Sequence, residues 1–315
     1  CREFLMSRFP RGTTATLLTL TWALTACATT GTINAAVDPV ASAATALPSA
    51  SAIQSNAAAV TGGLWLVPVP EAVMAAASKG QAPRYQDHPV WVGKVAGQTL
   101  AVVGLGLADA GAQALLTADG QLLANTQVLD RAYAEQHLTL TQTQYVSPDP
   151  EQLARFEREA AEQKAAYRVY TSTEAATWPR FQWPLEGRVS SLFGLRRFFN
   201  GEPRAPHLGI DIAGKLGAPV HAPANGRVAL VGDYFFNGRT VIIDHGQGLF
   251  SMLCHFSDVR VKAGDVVTPE SIVGLVGATG RATAPHLHWT VSLNDARIDP
   301  RRLLVTVPVT DRATD

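Results

Sequence analysis

The second half of the chain is divided by turn residues into short apolar runs. From about residue 181 these runs include GRVALVGDY, RTVIIDHG, LFSMLCHFS and LHWTVSLN. Turn residues between them recur roughly every eight to twelve positions, which is typical of antiparallel strands. The sequence therefore predicts a mainly β chain, with an antiparallel β-sandwich or barrel-like domain over 181–306.

A weaker strand pattern and one helix precede this domain. The runs LWLVPVP, PVWVGKV and QTLAVVGLGL predict a small all-β domain over 62–147. Asp149 can cap a helix, Pro150 suits its first position and Gln152 completes a capping box. We therefore expect a helical connector over 148–180, laid on a domain surface because its apolar stripe is thin.

The first 61 residues have the composition of an export signal and a tether. Residues 1–27 contain Arg8 and Arg11, an apolar run too short to span a bilayer, and Leu-Thr-Ala-Cys ending at Cys27. This segment resembles a bacterial lipobox, which implies a lipid on Cys27. Residues 28–61 are rich in Ala, Ser and Thr, which predicts a disordered tether, and 307–315 is expected to be a loose tail.

Composition excludes two classes of protein. The formal net charge is zero, so no basic surface indicates binding to nucleic acid. Three cysteines cannot form a disulfide framework.

Five residues near the end of the chain have side chains that suit a catalytic zinc site: His207, Asp211, His255, His286 and His288. They lie in three short stretches, PHLGID, LCHFSD and APHLHW. Zinc in hydrolases takes nitrogen or oxygen from three side chains and leaves a fourth position open. Two His and one Asp satisfy this rule, and two further His remain for proton transfer.

The local sequence constrains how these side chains are presented. His286 and His288 lie two apart in a strand-like run, so both point to one face, one as a ligand and one as a base. We expect a loop to carry His207 and the chain to have entered a strand by the time it reaches Asp211. The chain has no HExxH sequence, so a base must come from elsewhere, and histidine suits neutral pH.

Other candidates have simpler explanations. Cys254 is expected to face away from His255, which excludes a cysteine nucleophile, and to be a small buried hydrophobe. His245 is expected to make structural hydrogen bonds and His221 to lie on the surface. GATGRAT lacks the sequence of a phosphate-binding loop and reads as a turn.

The motifs HLGID, LCHFS and PHLHW resemble those of the M23 metallopeptidases, the lysostaphin or LytM type. The resemblance covers about 181–303 and implies that His207, Asp211 and His288 hold Zn²⁺. It further implies that His286 is the general base and that His255 stabilises the oxyanion. Ala284 and Cys254 depart from residues common at these positions, but neither removes a ligand or a base.

The resemblance implies an endopeptidase that cuts peptide cross-links in peptidoglycan, in Gram-negative members usually D-alanyl–diaminopimelate bonds. The expected location is the periplasm, with an outer-membrane lipid anchor at Cys27. The alternative is a non-catalytic lipoprotein that activates a cell-wall amidase, which the complete ligand set disfavours. The domain over 62–147 has no catalytic constellation and is expected to cover the groove or position the substrate.

Overall fold

The structure is a computed structural model and describes residues 59–139, 147–172 and 176–304. All of them belong to one compact unit, Thr45–Asp315. The predicted export segment, the tether up to residue 58 and the tail lie outside the described residues. Ala59 and Thr61 are buried, so the packed part of the chain begins slightly before Gly62.

Residues 59–139, which precede the long helix, contain eight strands. They are β1 (Leu64–Pro68), β2 (Arg84–Tyr85), β3 (His88–Pro89), β4 (Trp91–Val95), β5 (Gln98–Gly104), β6 (Gly111–Leu116), β7 (Leu122–Val128) and β8 (Glu135–Leu138). One sheet has the order β1-β5-β4 and a second the order β3-β2-β6-β7. Helix α1 (Glu71–Ala77) lies between β1 and β2. The sequence predicted only strands in this region, so this helix was not predicted. Its sequence, EAVMAAA, has high helix propensity and begins with an acidic residue after Pro70.

Helix α2 (Pro150–Tyr167) lies within the range predicted for the helical connector, 148–180, and ends well before residue 180. Asp149 accepts from the backbone N–H of Gln152, and the Gln152 side chain accepts from the Asp149 N–H, as the capping box requires. The helix packs by Phe156 against Phe236, with ring centroids 5.0 Å apart. At its last turn Tyr167 is buried and makes an edge contact with Phe250.

The remaining strands lie within 181–306, the range for which the turn pattern predicts antiparallel strands. They are β9 (Val189–Ser191), β10 (Arg196–Phe199), β11 (Glu202–Pro203), β12 (Ile210–Ala213), β13 (Pro219–His221), β14 (Gly226–Tyr234), β15 (Gly238–Asp244), β16 (Leu249–Phe256), β17 (Asp258–Val259), β18 (Val266–Val267), β19 (Ile272–Leu275), β20 (His286–Leu293) and β21 (Ala296–Ile298), before a 3₁₀ helix at Pro300–Arg302. The main sheet has the order β18-β14-β15-β16-β20-β12-β9, with β21 on β20. Its pairings are antiparallel, which confirms the mainly β, antiparallel prediction.

One hydrophobic core joins residues from both sides of the connector. Trp91 and Val102 belong to the same buried cluster as Phe181 and Trp289. The Asn294 side chain accepts from Gly104 N at 2.6 Å and donates to Gly104 O at 3.1 Å. Strands β4 and β5 therefore pack against the sheet that carries the candidate site.

Candidate metal centre

Two neighbouring strands bring three of the five predicted residues together. Strands β12 and β20 pair antiparallel, with Asp211 opposite His288 and Ala213 opposite His286. Residues directly opposite each other in such a pair project from the same face. His207 lies in the loop just before β12, as the sequence predicts, and its side chain is buried.

The side chains of His207, Asp211 and His288 converge on one point. Asp211 Oδ1 lies 2.8 Å from His288 Nδ1 and 3.1 Å from His207 Nε2. The two ring nitrogens are 3.0 Å apart. In the part of the chain that the structure describes, this is the one group of three or more His, Cys, Asp or Glu residues that could hold a metal ion.

The hydrogen bonds around these residues favour a cation at that point. His207 Nδ1 lies 2.8 Å from the Leu192 carbonyl, which only accepts, so Nδ1 carries the proton and Nε2 presents a lone pair. Burial lowers the pKa of His207 to about 4, so its ring is neutral at pH 7. A lone pair therefore faces a carboxylate oxygen at 3.1 Å. This nitrogen and oxygen donor set, tightly grouped, fits Zn²⁺.

The carboxylate of Asp211 is held ionised and oriented. Burial by itself would raise the pKa of Asp211, but the adjoining His207 and His288 rings bring it well below its usual range. Its second oxygen, Oδ2, accepts from Arg197 Nη2 at 3.1 Å. Arg197 is mostly buried, with a side chain 15% exposed. The guanidinium thus fixes Oδ2 and leaves Oδ1 facing the two histidines.

The two remaining histidines stand beside this group. His286 Nδ1 donates to Ala284 O at 2.8 Å, and its Nε2 lies 3.8 Å from Asp211 Oδ1. His255 Nδ1 donates to Thr279 O at 2.8 Å, and its ring centroid is 4.7 Å from that of His286. Because a carbonyl fixes the proton on each Nδ1, each neutral ring offers a lone pair at Nε2.

An unusual backbone conformation brings His255 to the site. Its φ is 68°, in the left-handed region that is uncommon for a residue with a side chain. Cys254 lies directly opposite His288, so it occupies the ligand face of the sheet. In regular strand geometry His255 would project from the other face, and the left-handed turn redirects it.

The expectation that Cys254 faces away from the site is therefore wrong. It assumed regular alternation along β16, which the left-handed residue interrupts. Cys254 is buried, and burial raises the pKa of its thiol to about 12. The thiol remains protonated at neutral pH, so a cysteine nucleophile is still excluded.

The other histidines take no part in this group. His245 Nδ1 donates to Asn225 O, and its Nε2 is hydrogen-bonded to Ser251 Oγ. These are the structural hydrogen bonds expected of His245. His221 ends β13 and is half-buried. His137 stacks on Phe198, and His88 lies 3.9 Å from Asp295.

A cavity of about 640 Å³ opens over the site. Its wall includes His207, Asp211, His255, His286 and His288. Leu138 of β8 and Ala160, Gln163, Lys164 and Tyr167 of α2 line it as well, together with Arg197, Arg281 and Arg297. Sequence patterns did not identify these additional residues, because nothing in their local sequence marks them as facing the site. Arg197 and its neighbour Arg196, for example, cannot be told apart by local pattern.

A mainly β fold that groups two histidines and an aspartate beside two further histidines defines a metallopeptidase type of site. Residues 205–300 match the sequence profile of Peptidase family M23. A crystal structure of a peptidase M23 from Pseudomonas aeruginosa is 38% identical, with a TM-score of 0.60, over 78% of this chain and 96% of that one. The chain belongs to Peptidase family M23, as its motifs predict. The similarity to that crystal structure covers 78% of this chain, so it extends well upstream of residues 205–300.

Curated relatives are similar over a shorter stretch. The peptidoglycan DD-endopeptidase ShyA of Vibrio cholerae is 39% identical over 103 residues, which are 32% of this chain and 24% of that protein. The DD-carboxypeptidase/endopeptidase Mpg of Neisseria meningitidis is 35% identical over 121 residues, 38% of this chain and 28% of that protein. The matched stretch thus spans about a quarter of the length of these relatives.

Proposed function

We propose that this protein is a zinc-dependent endopeptidase that hydrolyses peptide cross-links in bacterial peptidoglycan. The observation that carries the proposal is the convergence of His207 Nε2, Asp211 Oδ1 and His288 Nδ1 within 3.1 Å of one another. The names of the relatives ShyA and Mpg support peptidoglycan as the substrate. Membership of Peptidase family M23 supports metal-dependent peptide hydrolysis.

His207, Asp211 and His288 would hold the ion. Zinc bound there would supply Lewis-acid polarisation of the scissile carbonyl and make the attacking water more acidic. The Asp211 carboxylate offsets part of the ion's charge, and the two neutral rings add none. Arg197 keeps the carboxylate turned towards the site.

His286 is the proposed general base. Its Nδ1 proton is committed to Ala284 O, so Nε2 is the atom that takes a proton from water. Nε2 lies 3.8 Å from a ligand oxygen and faces the cavity. That position is close enough to reach a water beside the ligands without being a ligand itself.

His255 is the proposed group that stabilises the oxyanion, and its hydrogen bond constrains how it does so. With Nδ1–H donated to Thr279 O, a neutral ring presents only a lone pair at Nε2. Burial and the neighbouring His286 and His288 lower the pKa of His255 to about 3. To donate to an oxyanion the ring needs a proton at Nε2, and that proton is the one His286 takes from the attacking water, passed between two rings whose centroids are 4.7 Å apart.

The finer parts of the proposal concern the bond and the location. We propose the D-alanyl–meso-diaminopimelate bond as the target, in line with the DD-endopeptidase names of the relatives. We also propose export to the periplasm and a lipid on Cys27, supported by the sequence around that residue. Within residues 59–139, 147–172 and 176–304, every helix is too short or too polar to span a bilayer.

The test is mass spectrometry of muropeptides released from purified sacculi by the full chain. Zinc-loaded protein is compared with chelator-treated protein and with chelated protein that has been given zinc again. We expect loss of cross-linked dimers that the chelator abolishes and zinc restores. An unchanged dimer fraction with folded, zinc-loaded protein would refute the endopeptidase, and a gain of amidase activity on mixing with a cell-wall amidase would favour the regulator.

A further inference from the structure

A chain of hydrogen bonds leads from strand β8 to the proposed metal ligands. β8 lies far upstream of the segment 205–300 that matches the family, and it pairs in parallel with β10. The register places Gln136 beside Arg197. Gln136 Oε1 accepts from Arg197 Nε at 3.1 Å, and Arg197 Nη2 donates to Asp211 Oδ2 at 3.1 Å.

The geometry of the guanidinium lets a contact at Arg197 Nε affect the contact between Arg197 and Asp211. Its donors lie in one plane in a fixed fork, so holding Nε limits where Nη2 can point. Arg197 Nη2 also donates to Ser191 Oγ at 3.2 Å, and the Gln136 side-chain amide reaches the same hydroxyl at 3.5 Å. The guanidinium is thus held from one side by Gln136, and it contacts Asp211 and Ser191 on the other.

Ser191 links the same network to a second proposed ligand. Strand β9 pairs with β12 so that Ser191 lies opposite Asp211. Ser191 Oγ is 3.2 Å from His207 Nδ1, the nitrogen that faces away from the metal position. Partners on the far side of ligand groups set ligand orientation, and their loss typically weakens metal binding about 10–100-fold.

We propose that Gln136 is a positioning residue for the metal site, holding Arg197 and, through it, the carboxylate of Asp211. The region before the connector then contributes directly to metal affinity, although it supplies no ligand. The proposal rests on the proposed function only in requiring that His207, Asp211 and His288 bind a divalent metal.

The test measures Zn²⁺ affinity of the metal-stripped full chain by competition with a chromophoric chelator. Gln136→Leu should weaken binding about tenfold, the lower end of the range for such partners because it acts through a second side chain. Gln136→Glu keeps an acceptor for Arg197 and should restore most of the affinity. His137→Leu, a change at the exposed next residue of the same strand, is the matched control and should bind like the unmodified protein.

A double-mutant cycle tests whether Gln136 acts through Arg197. Arg197→Leu should weaken Zn²⁺ binding by about 10–100-fold, and adding Gln136→Leu should cause no further loss. The visible spectrum of the Co²⁺-loaded protein, which reports ligand geometry, should change alike in both single variants. If Gln136→Leu does not fold, Gln136→Ala replaces it throughout.

Three outcomes separate this inference from the function. The inference is overturned if Gln136→Leu binds Zn²⁺ with unchanged affinity. It is also overturned if the loss of affinity in the double variant equals the product of the losses in Gln136→Leu and Arg197→Leu. Failure of the unmodified folded protein to bind Zn²⁺ at all would instead overturn the proposed function.

Discussion

Replacing Gly209 by alanine would place a methyl group between the strands that carry the proposed ligands. Gly209 lies between His207 and Asp211, just before β12. A Cβ built there would lie 2.5 Å from Trp289 O, 2.7 Å from Thr290 Oγ1 and 2.8 Å from His288 Cε1. The closest of these atoms is backbone and cannot rotate away. The methyl group would therefore push the start of β12 away from β20.

The size of the effect follows from these distances. A carbon normally approaches a carbonyl oxygen no closer than about 3.3 Å, so the strands must separate by roughly 0.8 Å at this point. Overpacking of this kind costs about 1–3 kcal/mol, and a loss of about 2 kcal/mol lowers the Tm by roughly 4–8 °C in a domain of this size. Because a shift near 1 Å can cost about 100-fold in rate, we expect hydrolysis to fall by about that factor.

The assay compares Tm, Zn²⁺ affinity and dimer cleavage for Gly209→Ala with those for Gly106→Ala. Gly106 is the matched control because an added Cβ there would meet its nearest neighbour at 3.5 Å, an ordinary contact. Neither glycine has a left-handed φ, so alanine by itself should be neutral or stabilise by about 0.4–1 kcal/mol through the unfolded chain. If Gly209→Ala matched Gly106→Ala in all three measurements, the steric argument would be wrong.

Four further outcomes are expected. His288→Ala should abolish both Zn²⁺ retention, measured by elemental analysis after dialysis, and hydrolysis, because two protein ligands remain; retained zinc would contradict its role. His255→Ala should keep zinc yet lose most of the rate of dimer cleavage, and full activity would remove it from the mechanism. The fragment 174–315 should unfold at a lower temperature than the full chain, because Trp91 and Val102 leave the shared core; an equal Tm would show that this packing adds nothing. Burial lowers the pKa of His245 to about 4, so the unfolded chain binds its proton more readily and this residue should make stability fall as pH drops from 6.5 towards 4, by about 2 kcal/mol per 1.5 pH units; His245→Gln should remove that share of the slope and leave the shares of His207 and His255, whose pKa values burial also lowers.

Local sequence was sufficient for features that depend on neighbouring residues. The start of α2 was predictable because Asp149 and Gln152 cap each other three positions apart. His286 and His288 were predictable as one surface because alternation in a strand puts them on one face. The start of a strand near Asp211 followed from Gly209 and the β-branched residues around it.

Features that depend on distant pairing were not predictable. Gln136 meets Arg197 only because β8 adds to β10 in parallel, a pairing between residues 61 positions apart in the chain. That Cys254 and His255 both face the site depends on a left-handed conformation at His255, which no neighbouring glycine indicates. Helix α2 was expected on a domain surface, and only the tertiary structure places its last two turns on the wall of the cavity.

The backbone, rather than other side chains, sets the protonation of most of the site. Three of the four histidines donate Nδ1–H to a carbonyl, that of Leu192, Thr279 or Ala284. Since a carbonyl cannot donate, each of these neutral rings must turn a lone pair inwards at Nε2. Together with the Asp211 carboxylate, such lone pairs repel one another unless a cation lies between them. The metal proposed for this site would relieve that repulsion and, by binding only the native state, would shift the folding equilibrium towards the folded chain.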